Sequence, residues 1–293
     1  MADADGGGRK WLTYGCVGCL TIVGGVVLMI GVFFGSAWVG VRSEEVEDRV
    51  LTPEMAHGGK PGKVVLRLSA GTFSVRPGKP GEPLRVEAKY DRRTYDMQER
   101  FETQEDGWTY ELEFERTGNL LMTLLKGMVG GTSSEVDIYL PPDVPLDLAL
   151  WLKQGETEVE LGGLWLTETE IEFTQGAFVL EIDEPLREPM ERLAFQGSMG
   201  GFMASGLGNA SPRRLEVDFS MGGMELDLRG PWVADSEITI RMSQGGGELR
   251  LPRNVEIVGL ETSRTDLRTE AEVPRPTLTF TVSSDRGELQ IVE

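Results

Sequence analysis

A glycine recurs at nearly constant intervals through the second half of the chain, and this repeat constrains the fold more than any other feature. Polar corners with glycine in third place contain Gly155, Gly176, Gly200, Gly222 and Gly245, at spacings of 21, 24, 22 and 23 residues. A period of this length is typical of solenoids, in which each repeat is one coil that stacks on the next. Glycine suits such corners because it adopts positive φ without steric cost. The repeat therefore predicts a stack of coils.

Short strands flank each corner. Residues 215–219 (LEVDF) and 224–228 (MELDL) alternate apolar and acidic side chains on either side of one corner. A period of two places the apolar side chains on one face of a strand and the acidic ones on the other. We predict an all-β chain with a β-solenoid over residues 141–293. Residues 64–140 are less regular, and we predict an N-terminal β section of the same stack or a cap over its end.

A long stretch without charge precedes the strands. Residues 11–41 form an uncharged run of 31 residues, whereas a membrane-spanning helix needs only about 20 apolar residues. Arg9 and Lys10 precede the run, and positive charge marks the cytoplasmic side of a membrane segment. We predict a cytoplasmic tail over residues 1–10, one transmembrane α-helix over 11–41 and a polar linker over 42–63. A cleavable signal peptide is the alternative, although its apolar core is usually limited to about 15 residues.

This order places the main domain outside a bacterial inner (cytoplasmic) membrane, in the periplasm or beyond the cell. The chain beyond the tail holds 46 acidic and 27 basic residues, so the whole net charge of −19 lies on the outer side. A charge of this sign repels nucleic-acid phosphates. We therefore expect no nucleic-acid partner.

Within the predicted helix, Gly31 and Gly35 are spaced four residues apart. Small residues at this spacing allow two membrane helices to approach closely. The two glycines are therefore candidates for helix packing. The alternative is that glycine is simply common in membrane helices.

The composition removes most enzyme classes. The single histidine, His57, lies in the predicted linker, and the two cysteines, Cys16 and Cys19, lie in the uncharged run. A Ser-His-Asp triad, a cysteine protease site and a histidine-rich zinc site therefore cannot be built in the strand region. Outward acidic residues could form a docking surface or a weak cation surface, or could only keep exposed strands soluble. We expect no enzyme activity, no cofactor and no specific metal site.

Two sets of residues are candidates for partner contacts. Residues 119–131 break the strand pattern with leucine and methionine, whose adaptable side chains suit a membrane or protein surface; burial over the end of the solenoid is the alternative. Tryptophans at strand ends or corners form the second set, since exposed tryptophan is a preferred interface anchor, although a corner tryptophan that covers a neighbouring coil is commoner. The candidates are Leu120, Leu121, Met122, Leu124, Leu125, Met128, Trp151, Trp165 and Trp232.

The sequence also resembles a known family. Residues 65–73 (VLRLSAGTF), residues 137–141 (DIYLP) and the glycine corners resemble the bacterial toast-rack or putative adhesin β-solenoid domains, which often follow a single N-terminal membrane helix. The resemblance implies a β-solenoid and carries no catalytic residue with it.

These observations favour binding over catalysis, since a solenoid offers a long rigid surface. We expect a single-pass, membrane-anchored scaffold or interaction protein, and specifically an accessory structural subunit of a larger membrane complex. Its expected partners are the membrane and other protein subunits. An envelope-stress sensor or adhesin-like binding module is the alternative function. A polysaccharide-active enzyme is the third, because glycoside hydrolysis needs a pair of carboxylates.

Overall fold

The computed structural model describes residues 46–52, 59–117, 134–260 and 275–292. The predicted tail and transmembrane helix, with Gly31 and Gly35, lie outside the described residues. Within the described ranges, no helix is long and apolar enough to cross a membrane.

The described part of the chain is built from strands, with one turn of 3₁₀-helix at Leu207–Asn209. This confirms the all-β prediction. In chain order the strands are β1 (Val46–Leu51), β2 (Gly62–Leu68), β3 (Gly71–Pro77), β4 (Arg85–Asp91), β5 (Tyr95–Thr103), β6 (Trp108–Arg116), β7 (Glu135–Leu140), β8 (Leu146–Glu160), β9 (Leu166–Glu181), β10 (Arg192–Ser205), β11 (Arg214–Asp227), β12 (Ser236–Arg250), β13 (Glu256–Val258) and β14 (Thr277–Val292).

The long strands stack in parallel and in register. β8, β9, β10, β11, β12 and β14 pair successively, and the corner glycines align with one another across the stack. Each strand turns at its corner. In β8 the buried residues before the corner are even-numbered, Leu150 and Leu152, but those after it are odd-numbered, Thr157 and Val159. The positions that point inward therefore switch from even to odd at the corner. We call the halves before the corners the front sheet and the halves after them the rear sheet.

The N-terminal β section belongs partly to this stack. β2 pairs in parallel with residues 146–152 of β8 in the front sheet, and β3 pairs in parallel with residues 155–159 in the rear sheet. β6 then pairs in parallel with β2, and β7 pairs in parallel with β3. β2 with β3, and β6 with β7, therefore form two further coils of the solenoid.

The two strands β4 and β5 run in the opposite direction and cap the stack. β4 pairs antiparallel with β7, and β5 pairs antiparallel with β6. β1 then pairs antiparallel with β4. β1 lies inside residues 42–63, which we expected to be linker throughout. The strand forms there because the edge of β4 offers backbone hydrogen-bonding groups that an isolated spacer lacks.

Apolar side chains from both sheets fill the interior. One inward row of the front sheet contains Leu66, Leu112, Leu150 and Ile171, all fully buried. Burial of one such side chain contributes roughly 1.5–3 kcal/mol. Aromatic rings join the two sheets: Phe173 of the front sheet and Phe178 of the rear sheet stack with centroids 5.5 Å apart. A filled interior leaves the outer faces as the surfaces available for binding.

Candidate functional site

The candidate site is a shallow depression on the outer face of the front sheet, near the capped end of the stack. One outward row crosses it from β6 through β2 and β8 to β9, and places Glu113, Arg67, Trp151 and Glu172 side by side. These side chains point outward because the alternating positions on either side of them, such as Leu150 and Leu152, are buried. The register of four strands therefore assembles a tryptophan between charged residues.

A second outward row completes the depression. Ser69, Glu115, Lys153 and Thr174 lie two residues further along the same four strands. The depression has a volume of about 320 Å³, and residues from both rows line it. This is room for one or two side chains of a partner rather than for a large ligand.

Both cations of the depression already have partners. The Arg67 guanidinium lies over the Trp151 ring, 4.9 Å from its centroid. Lys153 Nζ donates a hydrogen bond to Glu115 Oε1 over 2.7 Å, and this bond raises the pKa of the lysine. Because both side chains of this ion pair are largely exposed, it contributes at most about 1 kcal/mol to stability. The Lys153 charge is therefore paired with a carboxylate within the site, whereas Arg67 contacts a neutral indole ring.

The two carboxylates at the ends of the row remain available. Among the described residues, neither Glu113 nor Glu172 makes a hydrogen bond or an ion pair. Glu172 is exposed and Glu113 is half-buried. An aromatic ring flanked by unpaired carboxylates suits a ligand that carries cationic and apolar groups.

The structure separates the three candidate tryptophans. Trp151 is half-buried at the centre of the depression, on the outer surface. Trp165 is half-buried in the connection between β8 and β9, where its carbonyl accepts a hydrogen bond from the Leu146 amide over 2.8 Å. It does not line the depression.

For Trp232 the structure favours the alternative role, a tryptophan that covers a neighbouring coil. Its side chain is only 6% exposed. Its indole Nε1–H donates a hydrogen bond to the Leu228 carbonyl over 2.7 Å. This tryptophan covers a connection between coils and offers no surface to a partner.

The other partner candidates, Leu120, Leu121, Met122, Leu124, Leu125 and Met128, lie outside the described residues. The described strands on either side of them, β6 and β7, form a coil beside β2 and β3. Just before the start of β7, Ser134 Oγ donates a hydrogen bond to the Ala70 carbonyl, and the Ser134 carbonyl accepts one from the Thr72 amide.

The acidic residues do not form the continuous surface that their pattern suggested. Basic side chains are interleaved with them: Arg192 pairs with Glu216 over 2.8 Å, and Arg250 pairs with Glu225 over 2.7 Å. Within the described ranges, no group of three or more potential ligands could hold a metal ion. A local concentration remains around Glu181, whose pKa is raised by burial and by neighbouring carboxylates.

Sequence reasoning missed the two residues that complete the tryptophan row. Alternation alone could assign Arg67 and Glu113 to the outer face, since Leu66 and Leu112 beside them are apolar. It could not place them next to Trp151, because β2 and β8 pair across the intervening strands β3 to β7. The register between strands that are so far apart in the sequence is set only in the assembled stack.

The chain is similar to two solved structures and matches one family model. The structure is similar to those of a putative cell adhesion protein from Clostridium sporogenes (12% identity, TM-score 0.42, covering 84% of this chain and 98% of that one) and a putative adhesin from Bacteroides fragilis (8% identity, TM-score 0.42, 86% and 100%). No curated protein matches the chain in sequence. A family model for the N-terminal domain of toast_rack matches residues 42–192. That range spans more than half of the chain and includes the Trp151 row, and the chain therefore belongs to the toast-rack family.

Proposed function

We propose that this protein is a membrane-anchored binding module without catalytic activity, and that it serves as an accessory subunit of a larger membrane complex. The uncharged residues 11–41 form its anchor, and the solenoid lies on the outer side of a bacterial inner membrane. The observation that carries the proposal is the depression around Trp151, which presents an aromatic ring on a rigid sheet, between two carboxylates that make no ion pair with any described residue.

The rigidity of that sheet supports a binding role. Parallel strands pair in register on both sides of Trp151, so its backbone is ordered before any partner arrives. Binding then costs little conformational entropy, because few groups remain to be ordered. Tryptophan and arginine, which stack here, are the residues that most often carry interface energy.

The charge pattern supports an outward location. The acidic residues outnumber the basic ones by 19, and all of that excess follows the uncharged run. Arg9 and Lys10 on the other side of the run favour a cytoplasmic N-terminus. An acidic outer domain suits a partner with basic surfaces.

The test is purification from the native membrane. The full-length tagged chain is extracted in mild detergent, the particle is sized, and its chains are identified by mass spectrometry. We expect stoichiometric partner subunits with the wild type and their loss with Trp151→Ala. Met221→Ala is the matched control, because Met221 is also an exposed apolar side chain, 47% accessible, but lies on a distant corner.

Two results would contradict the proposal. A wild-type particle that contains only this chain would overturn the accessory-subunit role and leave the adhesin-like module, which binds an envelope ligand, as the candidate. Partners that are recovered equally from the wild type and from Trp151→Ala would show that the depression does not bind them.

A further inference from the structure

We infer that the Trp151 depression binds an extended segment of a partner protein with basic residues at its first and fifth positions and an apolar residue at its third. This inference rests on the proposed function and specifies the chemistry of the partner. It follows from the spacing of the row, from the pairing of its charges and from the place of the tryptophan.

The spacing sets the length of the segment. Glu113 and Glu172 lie at the two ends of the row, on β6 and β9, with β2 and β8 between them. Three strand spacings correspond to about 14 Å. An extended chain advances about 3.3 Å per residue, so residues four apart lie about 13 Å apart and point to the same side. Basic side chains at the first and fifth positions therefore match the two carboxylates.

The charged side chains of the depression favour a basic ligand. Arg67 lies over the tryptophan ring, and Lys153 is bonded to Glu115. Among the described residues, neither Glu113 nor Glu172 makes a hydrogen bond or an ion pair, although Lys153 attracts Glu113 electrostatically. A basic group that reaches either carboxylate gains an ion pair without displacing an existing one. An acidic ligand would be repelled by both carboxylates.

The centre of the row sets the third position. The midpoint between β6 and β9 falls between β2 and β8, which carry Arg67 and Trp151. The indole ring and the aliphatic stem of the arginine present an apolar surface there. An apolar side chain at the third position points to the same face as the two basic ones and covers this surface.

The segment crosses the strands of the front sheet and does not extend the sheet. The strands under the row are hydrogen-bonded to neighbours on both sides, from β6 through β9. No backbone edge is free at the depression within these described strands. Recognition therefore depends on side chains, and the spacing of the basic residues determines specificity.

The test uses two fluorescein-labelled peptides of identical composition, Lys-Ser-Leu-Ser-Lys and Lys-Lys-Ser-Leu-Ser. Fluorescence anisotropy measures their binding to the full-length protein in mild detergent at low ionic strength. We expect the spaced peptide to bind about fivefold more tightly than the permuted one, since one well-placed ion pair contributes up to about 1 kcal/mol.

Paired variants locate the binding site. Glu113→Gln with Glu172→Gln removes two charges from the row, and we expect at least about a fivefold loss of affinity for the spaced peptide. Glu158→Gln with Glu160→Gln removes an equal number of charges from the outer face of the rear sheet. We expect this variant to bind the spaced peptide with unchanged affinity. Circular dichroism of both variants confirms that they are folded.

Equal binding of the two peptides, equal losses in the two double variants, or no binding at all would overturn this inference. None of these results bears on whether the native particle depends on Trp151. The proposed function fails separately, if Trp151→Ala leaves that particle intact.

Discussion

The corner glycines offer the sharpest test of the stacked architecture. Gly222 has φ of +131°, and a Cβ added to it would lie 1.9 Å from the carbonyl oxygen of Gly200 in the preceding coil. The backbone of residue 222 fixes the position of the Cβ, and the oxygen belongs to the backbone of Gly200, so no side-chain rotation can relieve this contact. Gly222→Ala therefore has to distort the stack of two coils.

The expected loss of stability has two sources. A non-glycine residue in this region of φ costs of order 1–3 kcal/mol in backbone strain. Relief of the contact requires the two backbones to move apart by more than 1 Å, which weakens the parallel ladder on both sides of the corner. Together these effects place the destabilisation by Gly222→Ala at roughly 3–5 kcal/mol, at the upper end of single-residue effects.

The next residue along the chain is a matched control. A Cβ added to Gly223 meets nothing within 4 Å. The equivalent position in β9 is already an alanine, Ala177, in the same outward row. Gly223→Ala therefore leaves the fold intact, and it changes stability by less than about 1 kcal/mol because it mainly restricts the unfolded chain.

Thermal unfolding of the full-length protein, followed by circular dichroism, measures both variants. For a domain of this size 1 kcal/mol shifts the midpoint by about 2–4 °C, so we expect Gly222→Ala to lower it by at least about 6 °C. Hydrogen exchange then locates the loss to β10 and β11. Equal midpoints for the two variants would refute the close approach of backbones at the corners.

Three further predictions concern buried and charged groups, each measured by urea unfolding at defined pH. Thr169 is buried, and its hydroxyl has no hydrogen-bond partner among the described residues. Thr169→Val therefore stabilises the fold by about 1 kcal/mol; a decrease in the free energy of unfolding would contradict this prediction. Burial raises the pKa of Asp227, but hydrogen bonds from Arg229 outweigh it and hold the pKa below its ordinary value. Asp227→Asn therefore costs about 1 kcal/mol near neutral pH. This cost decreases as the pH falls below the ordinary aspartate pKa, and it is lost below the lowered native-state pKa, where the carboxyl is protonated in both states; a pH-independent cost would exclude the ion pair. Burial and nearby carboxylates raise the pKa of Glu181, which lies directly opposite Glu160. Glu181→Gln therefore stabilises the fold above the ordinary glutamate pKa by about 0.2–1 kcal/mol, and the gain disappears below about pH 4; a gain that persists at pH 3 would argue against charge repulsion.

Much of the solenoid could be predicted from local pattern. The five corner glycines all have φ between +121° and +140°, as their regular spacing indicated. The alternation around Trp151 places it on the outside, since Leu150 and Leu152 on either side are buried. These predictions hold because glycine tolerance and strand alternation depend on a residue and its immediate neighbours.

The N-terminal β section shows what the local sequence pattern cannot predict. Its strands were expected to extend the stack or to cap it, and they do both: β2, β3, β6 and β7 extend it in parallel, whereas β4 and β5 cap it in reverse. Strand direction depends on which neighbour each strand meets, and these neighbours are distant in sequence. The same dependence on a distant neighbour explains why β1 is a strand, although its sequence by itself resembles that of a spacer.

The sequence by itself determined the repeat, the inward and outward faces of its strands and the family of the chain, because a stacked coil imposes the same local requirements on every repeat. Only the tertiary structure decided that Arg67 from β2 and Glu113 from β6 lie beside Trp151 from β8, and that Trp232 is buried. Side chains on different strands become neighbours only when the strands pair, and no short stretch of sequence encodes that register.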